Sequence, residues 1–116
     1  MKSVEIWHNP ACSKSRETLA LLEKSGRAIT IVRYLEATPT AARLEEVLRL
    51  LGLQPRALMR TKEPEYRELG LDDQKLGRKQ LIGAMVKHPR LIERPVVITE
   101  RGAAIGRPPE SVKKIL

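Results

Sequence analysis

The chain has 116 residues, of which 41% are hydrophobic and 3% aromatic, with no Phe, so its content suits one compact domain over residues 1–116 with an aliphatic core. Lys and Arg total 22 against 14 acidic residues, a net charge of +8, and 13 of the 22 are Arg. The charges are scattered and few aromatics could stack bases, which argues against a nucleic-acid partner, and no apolar run approaches the roughly 18 residues that span a bilayer.

Val4 to Trp7 reads as a first strand, and a helix follows from about Ser13 to Lys24, with Leu19 and Leu22 on its apolar face and Gly26 as its stop. Ile29-Thr30-Ile31-Val32 is rich in β-branched residues and predicts a second strand. Capping hydroxyls in Thr38-Pro39-Thr40 precede Leu44, Val47, Leu48 and Leu51, the i, i+3, i+4, i+7 spacing of an amphipathic helix that Gly52 ends. Residues 53–77 are less periodic, with a short helical piece from Pro55 through Met59 and then a polar stretch carrying Pro64 and Gly70. Leu81, Ile82, Met85 and Val86 mark another helix, stopped at His88-Pro89. Val96 to Thr99 is a third strand, and Glu100-Arg101-Gly102 turns it into a fourth at Ala103 to Gly106, giving a hairpin. Pro108-Pro109-Glu110 opens a last helix through Leu116.

That order predicts a four-stranded mixed sheet flanked by helices, with a helical insertion between the second and third strands. Cys12, the one cysteine, falls where the first strand gives way to the first helix, in His8-Asn9-Pro10-Ala11-Cys12-Ser13-Lys14-Ser15-Arg16. A free cysteine is most often a small buried hydrophobe. Here the free N–H groups and positive dipole end of a helix N-terminus favour the thiolate, which is the reactive form. His8, Lys14 and Arg16 add polar or cationic partners. A single cysteine also excludes an internal disulfide framework, and residues 1–5 lack a secretory h-region, so a reduced, cytoplasmic setting is expected. No metal-ligating cluster is evident.

A reactive cysteine at the first strand-to-helix turn, and Pro95 directly before the third strand, fit the thioredoxin fold, in which that proline is cis beside the active cysteine. The sequence resembles the glutaredoxin-dependent arsenate reductase family of that fold over nearly its whole length. The resemblance rests on His8-Asn9-Pro10-Ala11-Cys12 with Ser15-Arg16, and on Arg56-Ala57-Leu58-Met59-Arg60 and Glu68-Leu69-Gly70-Leu71. It extends to His88-Pro89, Arg94-Pro95-Val96-Val97 and Arg107-Pro108. It implies that Cys12 is the nucleophile and that Arg60, Arg94 and Arg107 gather the oxyanion. It further implies that His8 helps lower the thiol pKa and that Ser15 hydrogen-bonds the thiolate. No bound cofactor is implied; glutathione is the co-substrate and glutaredoxin the partner that restores the thiol. At Ser13-Lys14 the chain departs from the Gly-Thr of well-established members and resembles an arsenate-reductase-related branch.

Taken alone, Arg60 and Arg107 read as solvated surface charges, and His8 as a capping or packing group. The arsenate reductases of tyrosine-phosphatase fold need Cys-x5-Arg, whereas Cys12 and Arg16 are spaced Cys-x3-Arg, so that class is excluded. Regulators of the same fold that switch through Cys-x-x-Cys are excluded too, because Ser15 holds the second position. A redox-independent regulator stays open, as does a thiol-dependent reductase or glutathione mixed-disulfide protein acting on another substrate.

Overall fold

The computed structural model describes residues 2–116, which fold as two compact units. The first comprises the chain up to Ala37 together with Arg94–Leu116, and the second is Thr38–Glu93.

The first unit carries the sheet. Strand β1 is Val4–Trp7, β2 is Ile29–Val32, β3 is Val96–Thr99 and β4 is Gly102–Ile105, in the spatial order β2-β1-β3-β4. β1 pairs parallel with β2 and antiparallel with β3, and β3 and β4 form the expected hairpin. Helix α1, Ser13–Lys24, makes the crossover from β1 to β2 and turns Ser15, Thr18 and Leu22 inward. The core joins Val4, Ile6, Leu22, Val97, Ala104, Val112 and Ile115. Each large aliphatic side chain so buried contributes about 1.5–3 kcal/mol.

The final helix differs from expectation. Pro109–Ile115 is a 3-10 helix, and its buried residues are Pro109, Val112 and Ile115. That spacing of three is the 3-10 period, which stacks every third residue on one face. The fourth strand lies one residue earlier than expected, because Gly106 leaves the ladder and donates its N–H to the Pro95 carbonyl at 2.9 Å.

The second unit is helical: α2 (Ala41–Leu51), a 3-10 turn at Pro55–Leu58, α3 (Pro64–Glu68), α4 (Arg78–Lys87) and a 3-10 turn at Pro89–Leu91. Thr40 caps α2 by accepting the Arg43 N–H at 3.1 Å, and Gly52 ends it with φ at 69°. The least periodic stretch of sequence is held by one side chain. Arg56 donates to the Tyr66 hydroxyl and to the carbonyls of Leu71 and Asp73, each at 2.5 Å.

Candidate active site

The site is built at the end of β1. His8, just past β1, is still tied to the sheet by donating its N–H to the Val32 carbonyl at 2.8 Å. The chain then turns through Asn9, whose Oδ1 accepts the Ala11 N–H and whose carbonyl accepts the Cys12 N–H, both at 3.0 Å. Arg16 closes the turn by donating from Nη1 to the Pro10 carbonyl at 2.8 Å. Cys12 thereby becomes the N-cap of α1, in extended conformation, and no side-chain hydrogen bond caps the helix. Its thiol stands where a capping hydroxyl usually does, half-buried, over the free amides of the first turn.

Those amides decide its ionisation. Burial pushes the Cys12 thiol up, but the Ser15 amide, the charge of Arg94, the Lys14 amide and the Arg107 side chain together hold it below the usual thiol value. Arg107 Nη1 lies 3.9 Å from Cys12 Sγ and also donates to the Arg94 carbonyl at 3.2 Å. The Arg94–Pro95 bond is cis, as expected, and so is Arg107–Pro108, which the sequence reading did not foresee. Both arginines directly precede prolines that flank the β3–β4 hairpin.

His8 and Ser15 are joined to each other beside the cysteine turn. Burial, then Arg33 and Arg16, hold the buried His8 imidazole below its ordinary pKa, so it is neutral near pH 7 and carries no charge to offer the thiolate. Its Nδ1 lies 2.6 Å from Ser15 Oγ, and that oxygen also accepts the Asn9 N–H at 3.0 Å. The hydroxyl of Ser15 is engaged with the β1 end, while its amide reaches the sulfur. His8 therefore bears on Cys12 through the fixed first turn of α1.

Arg60 belongs to the second unit. Its amide donates to the Leu91 carbonyl at 2.7 Å, and its guanidinium pairs with Glu63 at 2.6 Å, a carboxylate that Arg90 also approaches at 3.6 Å. Sequence reasoning missed Thr18 and Gly106, which pack behind the cysteine turn. The signals available for them were a polar residue on the apolar face of α1 and a glycine at the strand's end. Among the described residues no cluster of His, Cys, Asp and Glu is placed to hold a metal, and no helix is long and apolar enough to cross a membrane.

A mixed sheet in this order, a cis proline ahead of its hairpin and a thiolate-favouring cysteine at the first strand-to-helix turn define a thioredoxin-like protein. The chain belongs to the ArsC family, whose model matches residues 7–115. It is 51% identical to the uncharacterized protein YfgD of Escherichia coli, over 99% of this chain and 98% of that one. It is 44% identical to an arsenate reductase of Neisseria meningitidis across the full length of both. Among solved structures, an arsenate reductase from Vibrio cholerae superposes with a TM-score of 0.96 at 52% identity, covering 99% of this chain and 98% of that one.

Proposed function

We propose that the protein reduces arsenate to arsenite in the cytoplasm, with Cys12 as nucleophile and glutathione and glutaredoxin as the outside reductants. The observation that carries this is the Cys12 thiol, held toward thiolate at the N-terminus of α1 with Arg107 3.9 Å from its sulfur, in a chain of the ArsC family. Arsenate is a tetrahedral anion, and guanidinium groups can hold its oxygens in forked, charge-assisted pairs while offsetting its repulsion of the thiolate. Arg94 and Arg107 fill that role, and the family resemblance adds Arg60.

Thiolate attack on arsenic expels a protonated oxygen as water and leaves a Cys12–arsenic(V) bond. Reduction to arsenite takes two electrons. Cys12 supplies one of the two sulfurs that become a disulfide, and the chain has no second thiol to supply the other. Glutathione brings it: arsenite leaves, and Cys12 remains as a mixed disulfide with glutathione. Glutaredoxin then attacks the glutathione sulfur and releases the Cys12 thiolate. Phosphate can occupy the same anion site, yet a thiol cannot reduce it.

Ser13-Lys14, where well-established members carry Gly-Thr, favours a second reading, in which the same thiol reduces another oxyanion or a glutathione mixed disulfide. An assay coupling arsenate, glutathione, glutaredoxin and glutathione reductase, read as NADPH oxidation, separates the two. Arsenate-dependent oxidation that phosphate cannot replace supports arsenate reduction. A protein that is inert to arsenate but accumulates a glutathione adduct on Cys12 supports the second reading.

A further inference from the structure

Behind the reactive thiol lies a contact that nothing in the arsenate chemistry requires. Thr18 is fully buried one turn along α1, and its hydroxyl donates to the Lys14 carbonyl at 2.8 Å. The same hydroxyl lies 3.5 Å from the Gly106 carbonyl, 88 residues away in sequence. Gly106 in turn donates its N–H to the Pro95 carbonyl at 2.9 Å. Three segments meet there: the first turn of α1, the residue after Arg94 and the residue before Arg107.

Gly106 is pressed into this junction. A Cβ on it would lie 2.5 Å from Thr18 Oγ1, 2.8 Å from Pro95 Cγ and 3.0 Å from Thr18 Cγ2. Its φ is not among the positive values found at Gly26, Gly52, Gly70 and Gly102, so backbone conformation does not demand glycine there. Space does. The obstacles are a proline ring and a β-branched side chain held by its hydrogen bond, neither of which yields easily.

We infer that Thr18 and Gly106 are positioning residues that set how closely Arg107 and Arg94 approach Cys12. Lys14, whose carbonyl Thr18 binds, also offers its amide to the sulfur, and Arg107 follows Gly106 directly. A methyl group at Gly106 parts the Arg107 segment from the cysteine helix, and the charge that holds the thiolate weakens with distance. Gly106 thus acts on reactivity without touching the reacting atoms. The inference rests on Cys12 being the reactive thiol, but its test needs no arsenate.

The experiment follows alkylation of Cys12 by iodoacetamide against pH in the wild type, Gly106→Ala, Gly106→Ala with Thr18→Ala, and Gly83→Ala. Gly83 has open space around its Cβ position and is the control. The expected result is an upward shift of the alkylation midpoint in Gly106→Ala, with slower alkylation at neutral pH. Adding Thr18→Ala should move the midpoint back, because it removes two of the three obstructing atoms, while Gly83→Ala leaves it at the wild-type value. A folded Gly106→Ala protein with the wild-type midpoint overturns the inference, as does a double variant that recovers nothing. Should Gly106→Ala not fold, Thr18→Val is read the same way, since its methyl replaces the hydroxyl against Gly106. In the arsenate assay, displacement of Arg107 should raise KM more than it lowers kcat. An inactive wild type with the shifted midpoints would overturn the substrate and leave the positioning intact.

Discussion

At the scale of single residues, the proposed reaction asks some groups to make the thiolate and others to hold the anion. Alkylation of Cys12 should show a midpoint below that of an unstructured cysteine peptide measured alongside, because two amides and two guanidinium groups outweigh the cost of burial. A midpoint at or above that value removes the case for a preformed nucleophile. Cys12→Ser should abolish arsenate reduction while preserving the fold, since a hydroxyl of similar size lacks the nucleophilicity. Arg94→Ala and Arg107→Ala should each lower kcat/KM by roughly tenfold or more, the scale of a lost charge-assisted hydrogen bond. Lysine at either position should restore only part, because an ammonium cannot form the planar fork. Arg101, exposed in the hairpin turn, is the comparison and should tolerate Ala. Arg60→Ala carries a second effect, since it leaves Glu63 with only the longer Arg90 contact; comparing it with Glu63→Gln separates anion binding from loss of the ion pair. His8 gives a different signal. Its pKa is lowered in the folded protein, so the unfolded chain binds more protons as pH falls through the ordinary histidine value near 6.5. Stability should therefore drop on acidification through that window, and the melting temperature of His8→Gln should depend less steeply on pH there.

At the scale of elements, the helix ends explain how the chain reads. Thr40 and Gly52 bracket α2 with a hydroxyl cap and a left-handed stop, and the periodicity between them made that helix legible from sequence. Thr40→Ala should cost about 1 kcal/mol in denaturant unfolding, the usual value of such a cap. Gly83, inside α4 with open space around it, offers the opposite test: Gly83→Ala should stabilise by up to about 1 kcal/mol through helix propensity. β2 and β3 were legible as β-branched runs between turn residues, β4 from the turn that precedes it, and the cysteine turn because polar residues flank a lone thiol. Three features were not. The 3-10 character of Pro109–Ile115 depends on tertiary burial of every third residue, and α3 is too short to show a period. The pinch at Gly106 joins residues that are neighbours only in space. The part of Ser15 was legible as to residue and not as to atom, because sequence cannot tell that its hydroxyl is taken by His8 and Asn9.

At the scale of the whole molecule, a net charge of +8 spread over many arginines favours the approach of small anions and weakens that attraction as salt rises. The cysteine count has a further consequence, for survival. A half-exposed thiolate is the form that peroxide oxidises first, and the sulfenic acid so made is ordinarily rescued by a resolving cysteine nearby. This chain contains none. Without an outside thiol the sulfur should therefore climb to the sulfinic state and be lost, whereas glutathione should trap it as a mixed disulfide that exchange can reverse. Intact-mass measurement after a peroxide pulse, with and without glutathione, distinguishes the two fates. Under the proposed chemistry the second thiol is borrowed for catalysis, and the same loan then serves for protection, so that working lifetime should follow the glutathione supply as closely as turnover does.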